Sequence, residues 1–199
     1  MSGLFGFVDW QGDLPPDTGE RMASYMTDGA DRATVILQGD DFCIGCSTKG
    51  IYPGEGEVLS SVDANRKCLF TGRLLETDGD ASERWDPIAA ARRAVLDNAT
   101  ARGLAATNGP FAAAIWDGDR RRLELITDRH GMYPIYVASY RSAFLFSGQI
   151  KGIWAVGVVP TDVDPLAICL MLSTGELVSD ITLFRNIRLL SAGSRTTVS

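Results

Sequence analysis

Short apolar runs broken by turn residues dominate the chain, and most are too short for helices. Leu4 to Trp10 is apolar almost throughout and stops at Gln-Gly-Asp-Leu-Pro-Pro, which predicts a buried strand ended by a turn. Thr18 to Met26 has spacing suited to a short helix, with Thr18 placed to cap it. Arg32 to Gln38 and Phe42 to Cys46 form a predicted strand pair around Gly39-Asp40-Asp41, and Gly50 to Glu57 reads as a glycine-rich loop. Lys67 to Arg73 is the next predicted strand. Asp86-Pro87 then opens an alanine-rich helix that runs to Gly103, with a cap-type Asp and a first-turn proline.

Phe111 to Asp117, Leu123 to Asp128, Pro134 to Ser139 and Ala143 to Gly148 are four more short strands separated by turn residues. Their spacing predicts an antiparallel meander. Helices are expected at Ile150 to Val156 and at Pro165 to Ser173, and Leu183 to Gly193 lacks helical period and reads as an extended tail. Strands outnumber helices, so the expected class is α+β, with stacked sheets covered by helices. No repeat or low-complexity linker divides residues 1–199, and one domain is expected.

Composition narrows the functional classes more than it selects one. Hydrophobic residues at 45% and charged residues at 22% are ordinary for a soluble domain. A net charge of -6 and a pI near 4.8 argue against a nucleic-acid partner. Arg120, Arg121 and Arg122 are the only basic run, and a solvated turn between strands accounts for them. No apolar stretch predicts a membrane span, and Asp9 interrupts the N-terminal apolar segment, unlike a signal peptide. A cytoplasmic location is expected, with Cys43, Cys46, Cys68 and Cys169 reduced.

Several familiar chemistries lack their residues. Cys43-Ile-Gly-Cys46 has redox or half-zinc spacing, but on a strand the two sulfurs would point to opposite faces. Zinc needs two further ligands, and His130 is the only histidine, so no metal site is expected. No Gly-x-Ser-x-Gly elbow, dinucleotide loop or Walker-type phosphate loop occurs. Trp10, Trp85, Trp116 and Trp154 read as core or interface anchors. His130 sits in Asp-Arg-His-Gly-Met-Tyr-Pro, a tight turn where Asp128 and Arg129 are expected to make turn and interface contacts.

Two segments carry a resemblance. Met1-Ser-Gly-Leu-Phe-Gly6 resembles the Met-Cys-Gly-Ile-x-Gly opening of class II glutamine amidotransferases. Asn108 to Asp117 followed by Arg122 to Tyr136 resembles that family's asparagine synthetase branch, which has G-x-F-A-F-A-L-W-D and then R-D-R-x-G-x-x-P-L-Y. The tail, with Leu183-Phe and Leu189-Leu-Ser-Ala-Gly193, is similar to the stretch that hands over to the synthetase domain. The resemblance implies the Ntn-hydrolase αββα sandwich, two antiparallel sheets between helical layers. In that chemistry the exposed first residue is the nucleophile and its own α-amino group the base.

The resemblance also implies a degraded glutamine pocket. The nucleophilic cysteine is Ser2 here, and serine needs stronger activation than a thiol. The family's carboxylate-binding arginine falls on Val58 in Val-Leu-Ser-Ser-Val-Asp, and valine offers no clamp to a carboxylate. Its oxyanion-hole and amine-binding Asn-Gly-Glu falls on Thr71-Gly72-Arg73, where Thr71 has lost the amide donor, Gly72 could still present its N–H, and Arg73 would repel an ammonium. A pocket aspartate falls on Asp86, which serves equally well as a helix cap.

The expectation is therefore a glutaminase-inactive scaffold of an ATP-dependent amide-forming enzyme. β-Lactam synthetases and lasso-peptide cyclases are the precedent, since they resemble asparagine synthetase but use an intramolecular amine. No Ser-Gly-Gly-x-Asp-Ser pyrophosphatase loop lies in residues 1–199, so ATP and Mg are expected in a synthetase domain outside them and no cofactor within them. The exposed faces of the last two helices could meet that domain, a separate synthetase subunit or a second copy in a homodimer. Two alternatives stand beside this expectation. One is a working glutaminase that uses Ser2 to supply ammonia, and the other is a stand-alone binding module.

Overall fold

A computed structural model describes residues 3–27, 32–49, 55–56, 58–60, 65–73 and 109–199; for residues 32–36 it describes the backbone only. The predicted helix from Asp86, with Trp85 beside it, lies outside the described residues, as do Ser2 and most of the Gly50–Glu57 loop. Strands β1 (Gly3–Asp9), β2 (Arg32–Gln38), β3 (Phe42–Thr48), β8 (Tyr136–Tyr140), β9 (Ala143–Ser147) and β10 (Arg188–Leu189) form one sheet in the order β10-β8-β9-β1-β3-β2. Strands β4 (Val58–Ser60), β5 (Arg66–Gly72), β6 (Phe111–Asp117), β7 (Arg122–Thr127) and β11 (Arg195–Val198) form the other, in the order β11-β7-β6-β5-β4. All the strand pairs are antiparallel.

Alternation along each strand sorts the side chains between two faces. Leu4, Val8, Phe42, Ile44 and Phe146 of the first sheet meet Leu69, Ala112, Ala114, Trp116, Leu123 and Leu125 of the second in one buried core. The intervening residues point outward. Phe5 and Leu145 pack beneath helix α1 (Thr18–Met26) and helix α2 (Ile150–Trp154), with Met22, Met26 and Ile153. Phe70, Phe111, Ala113, Ile115 and Ile126 form a separate buried cluster on the outer face of the second sheet.

Two mid-strand glycines serve as slots in the first sheet. A Cβ at Gly6 would collide with the Cys43 carbonyl oxygen and the Phe146 ring, and one at Gly45 with the Phe5 ring. A larger residue would therefore force the strands or the rings apart. At the far end of β1, Trp10 stacks on Trp116 with centroids 6.0 Å apart, and Trp116 stacks on Phe42 at 4.0 Å.

The structure amends four expectations. The predicted meander is two hairpins in different sheets, because the chain leaves β7, turns through Asp128–Pro134 and enters β8 on the opposite layer. Thr18 does not cap α1; Asp17 stands at the cap, and the Thr18 hydroxyl donates to the Pro15 carbonyl instead. Strand β4, absent from the sequence expectation, pairs with β5 through Val58, Leu59 and Ser60. Arg120 and Arg121 do lie exposed in the β6–β7 turn, whereas Arg122 begins β7 and pairs with buried Glu124.

The third helix, α3 (Pro165–Thr174), has the expected signals: the Asp164 carboxylate accepts from the Leu166 N–H, and left-handed Gly175 ends the helix. Its body is apolar, yet Ala167 is its only buried residue and Leu172 is 82% exposed. Among the described residues no helix is long and apolar enough to cross a membrane.

The crossing between sheets is held by Asp128. Its carboxylate accepts from the backbone N–H of Phe111 (3.2 Å), His130 (2.8 Å) and Met132 (3.0 Å), and its carbonyl accepts from Gly131 and Gly193. His130 is thereby placed by its backbone on an exposed turn, as the sequence implied. Asp128→Ala should lower the unfolding free energy by about 2 kcal/mol, because the buried Phe111 N–H loses its acceptor. Asp128→Asn should cost less, and urea midpoints of the two variants at equal slope check the order.

Candidate functional site

The end of β5 gathers three of the residues singled out in the sequence. Leu69 faces the inter-sheet core, Phe70 faces outward, and alternation returns buried Thr71 to the inner side. Gly72 follows with φ +93, in the left-handed region, and a Cβ there would collide with the Pro110 carbonyl oxygen and the Tyr133 ring. Glycine is therefore required twice over, for its dihedral and for its lack of a side chain. The next residue, Arg73, is exposed and donates its backbone N–H to Pro110 at 2.8 Å. Val58 lies on β4 opposite Leu69 and packs, partly buried, against the inter-sheet core.

A fourth residue completes the corner. The Thr71 hydroxyl donates to Oε1 of Glu55 at 2.8 Å, and the Gly72 N–H donates to the same oxygen at 3.2 Å. Glu55 is 8% exposed, and its Oε2 is buried without a hydrogen-bond partner among the described residues. The adjoining Gly56 N–H donates to the Phe70 carbonyl, which ties this turn to β5. Two donors from adjacent residues thus converge on one oxygen, an arrangement that suits a single negative or partly negative atom.

Cys46 approaches the corner from the other sheet. Burial foremost, and then the Glu55 carboxylate, push its thiol up to about 12, although a Thr71 hydrogen bond works the other way. Such a thiol stays protonated and unreactive near neutrality. Cys46 pairs with Leu4 and its neighbour Ser47 with Gly3, so the corner lies at the end of the sandwich where β1 begins. Ser2 and Asp86 lie outside the described residues.

Sequence reasoning gave Glu55 no role. It sat in a glycine-rich loop with other acidic residues, and no spacing links it to Thr71, which is 16 positions away. The cysteine pair behaves as strand geometry predicts, for the Cys43 sulfur faces Gly19 of α1 while Cys46 joins the inter-sheet core. Among the described residues no cluster of His, Cys, Asp and Glu could hold a metal ion. One open pocket, lined by Trp10, Arg120, Arg121 and Ser199, lies by the far end of β1, away from this corner. There Arg121 sits over the Trp10 ring and pairs with Asp41.

Residues 94–199 match a family described as a glutamine amidotransferase domain. The chain belongs to that family. It is 26% identical over 188 residues to asparagine synthetase [glutamine-hydrolyzing] 3 of Bacillus subtilis, a match covering 82% of this chain and 29% of the relative. The chain therefore spans under a third of that relative's length. Among solved structures it is similar to the glutamine phosphoribosylpyrophosphate amidotransferase from B. subtilis, with a TM-score of 0.57 and 13% identity. That likeness covers 82% of this chain and 45% of the other, and it supports the shared fold of two antiparallel sheets.

Two measurements bear on this geometry. Gly72→Ala should destabilise the domain by at least about 2 kcal/mol in urea unfolding, since strain at φ +93 adds to the clash at Pro110. Thiol alkylation read by intact mass should modify Cys169 alone in the native protein, because Cys43, Cys46 and Cys68 are buried. Burial holds those three thiols at about 11, 12 and 12, so raising the pH from about 7 to 9 should leave their native labelling unchanged. Denaturant should expose them.

Proposed function

We propose that this chain is a glutaminase-inactive scaffold domain of an ATP-dependent, amide-forming enzyme of the asparagine-synthetase type. One observation carries the reading: the Thr71 hydroxyl and Gly72 N–H are both spent on the carboxyl of Glu55. Glutamine hydrolysis needs donors aimed at the oxygen that becomes negative as the tetrahedral intermediate forms. Donors already engaged by a buried side chain cannot serve that oxygen unless the side chain leaves. Loss of one such donor typically costs about two to three orders of magnitude in rate.

The neighbouring residues point the same way. Val58 turns an alkyl group toward the core at the position where the family resemblance expects a carboxylate-binding arginine. A guanidinium at Arg73 replaces the acid that would hold the substrate ammonium. Ser2 stands where the resemblance expects a cysteine. In this reading the amine comes from the substrate, as in β-lactam synthetases and lasso-peptide cyclases. ATP and Mg then act in a synthetase domain or subunit against which this chain packs.

The test is glutamate release from glutamine, measured with the wild-type chain and with Ser2→Ala. Both should give the same background rate. Steady release that disappears in Ser2→Ala would overturn the proposal and restore a working glutaminase with Ser2 as nucleophile. Intact mass belongs beside it, because a retained Met1 blocks the α-amine that such a mechanism needs.

A further inference from the structure

We propose that the Thr71–Gly72 corner is a carboxylate-binding site whose resident ligand is the chain's own Glu55 side chain, and that a small free carboxylate takes its place when Glu55 is removed. The proposal rests on the contacts used above but not on what they imply for glutamine. Three features make the corner a built site. Its two donors come from consecutive residues and meet at one oxygen, 2.8 and 3.2 Å away. Its backbone is held, because Gly72 is enclosed by Pro110, Phe111 and Tyr133 and Arg73 is hydrogen-bonded to Pro110. Its occupant is buried while one carboxyl oxygen meets no partner among the described residues.

The unpaired Oε2 is not peculiar to this corner, since Glu124, ion-paired with Arg122 and Arg195, also buries an oxygen without a hydrogen-bond partner. What marks the corner is that both of its donors meet at one oxygen. Here the surroundings satisfy one oxygen and leave the other, so the corner recognises a single oxygen atom. Tethering makes up the difference. A side chain on the same polypeptide competes at high effective concentration and has already lost its freedom of motion. Dissolved carboxylates at millimolar levels therefore do not displace it.

Removing the tether reverses the balance. Glu55→Ala deletes Cγ, Cδ and the two oxygens and leaves space for a small free carboxylate. A free ligand must stand roughly 3.5–4.0 Å from the remaining Cβ rather than at bonding distance, so formate and acetate should enter and bulkier carboxylates should not.

The experiment is thermal unfolding of wild type, Glu55→Ala and Glu55→Gln, each in sodium acetate or in sodium chloride of equal ionic strength and pH. Glu55→Ala should unfold at lower temperature than wild type. Acetate at about 100 mM should return roughly 3–5 °C in a saturable manner, as expected for a site with a dissociation constant near 10 mM. Wild type and Glu55→Gln should show no such rise, since each keeps an oxygen acceptor in the corner. Adding Thr71→Val to Glu55→Ala should abolish the acetate effect. Should Glu55→Ala fail to fold in chloride, recovery of folded protein in acetate is the expected result. Equal behaviour of Glu55→Ala in acetate and chloride, or an equal acetate effect in wild type, would overturn the proposal. Neither outcome depends on glutamate release, so this inference and the proposed function fail separately.

Discussion

A carboxylate that accepts three backbone N–H groups is among the stronger local anchors a protein can build, and Asp128 is one. It stands where the chain leaves one sheet for the other. Its bond to Phe111 fixes the start of β6, and its carbonyl fixes Gly193 in the tail that returns to pair with β7. Phe111 and Pro110 are in turn the wall against which Gly72 is set. The direction of the Gly72 N–H therefore follows from a residue that touches no part of the candidate site.

Much of the fold could be read from the sequence, because strands here obey period-two burial and end at strong turn signals. The bounds of α1, β2 and β6 agree with expectation, and those of β7, β9 and α3 fall within a residue or two. What escaped was tertiary. Whether consecutive hairpins share a sheet depends on the path of the Asp128–Pro134 turn, and local patterning does not encode it. β4 is three residues long and owes its existence to pairing with β5 rather than to its own propensity. Thr18 had the chemistry of a cap, but a nearer acceptor at Pro15 took its hydroxyl.

The candidate site divides along the same line. Thr71, Gly72 and Arg73 were found because they are contiguous and because a family pattern runs through them. Glu55 was not, since the residue that completes the corner comes from a different loop and meets Thr71 only in the folded chain. Cys46 was seen as a strand thiol, yet its sulfur shares the interior with Glu55 and Thr71. Contiguous residues can be recognised from a sequence, whereas a side chain that joins them from a distant loop requires coordinates.

Gly6 bears on how such chains are recognised. It has no Cβ because Phe146 and the Cys43 carbonyl occupy the space a Cβ would need. That constraint acts on the sheet regardless of what reaction, if any, the domain performs. An N-terminal signature built on this glycine is consequently a record of packing rather than of chemistry. Its presence reports the architecture and leaves the reaction to be read elsewhere. The residue to read beside it is the one lying against the Thr71–Gly72 donors.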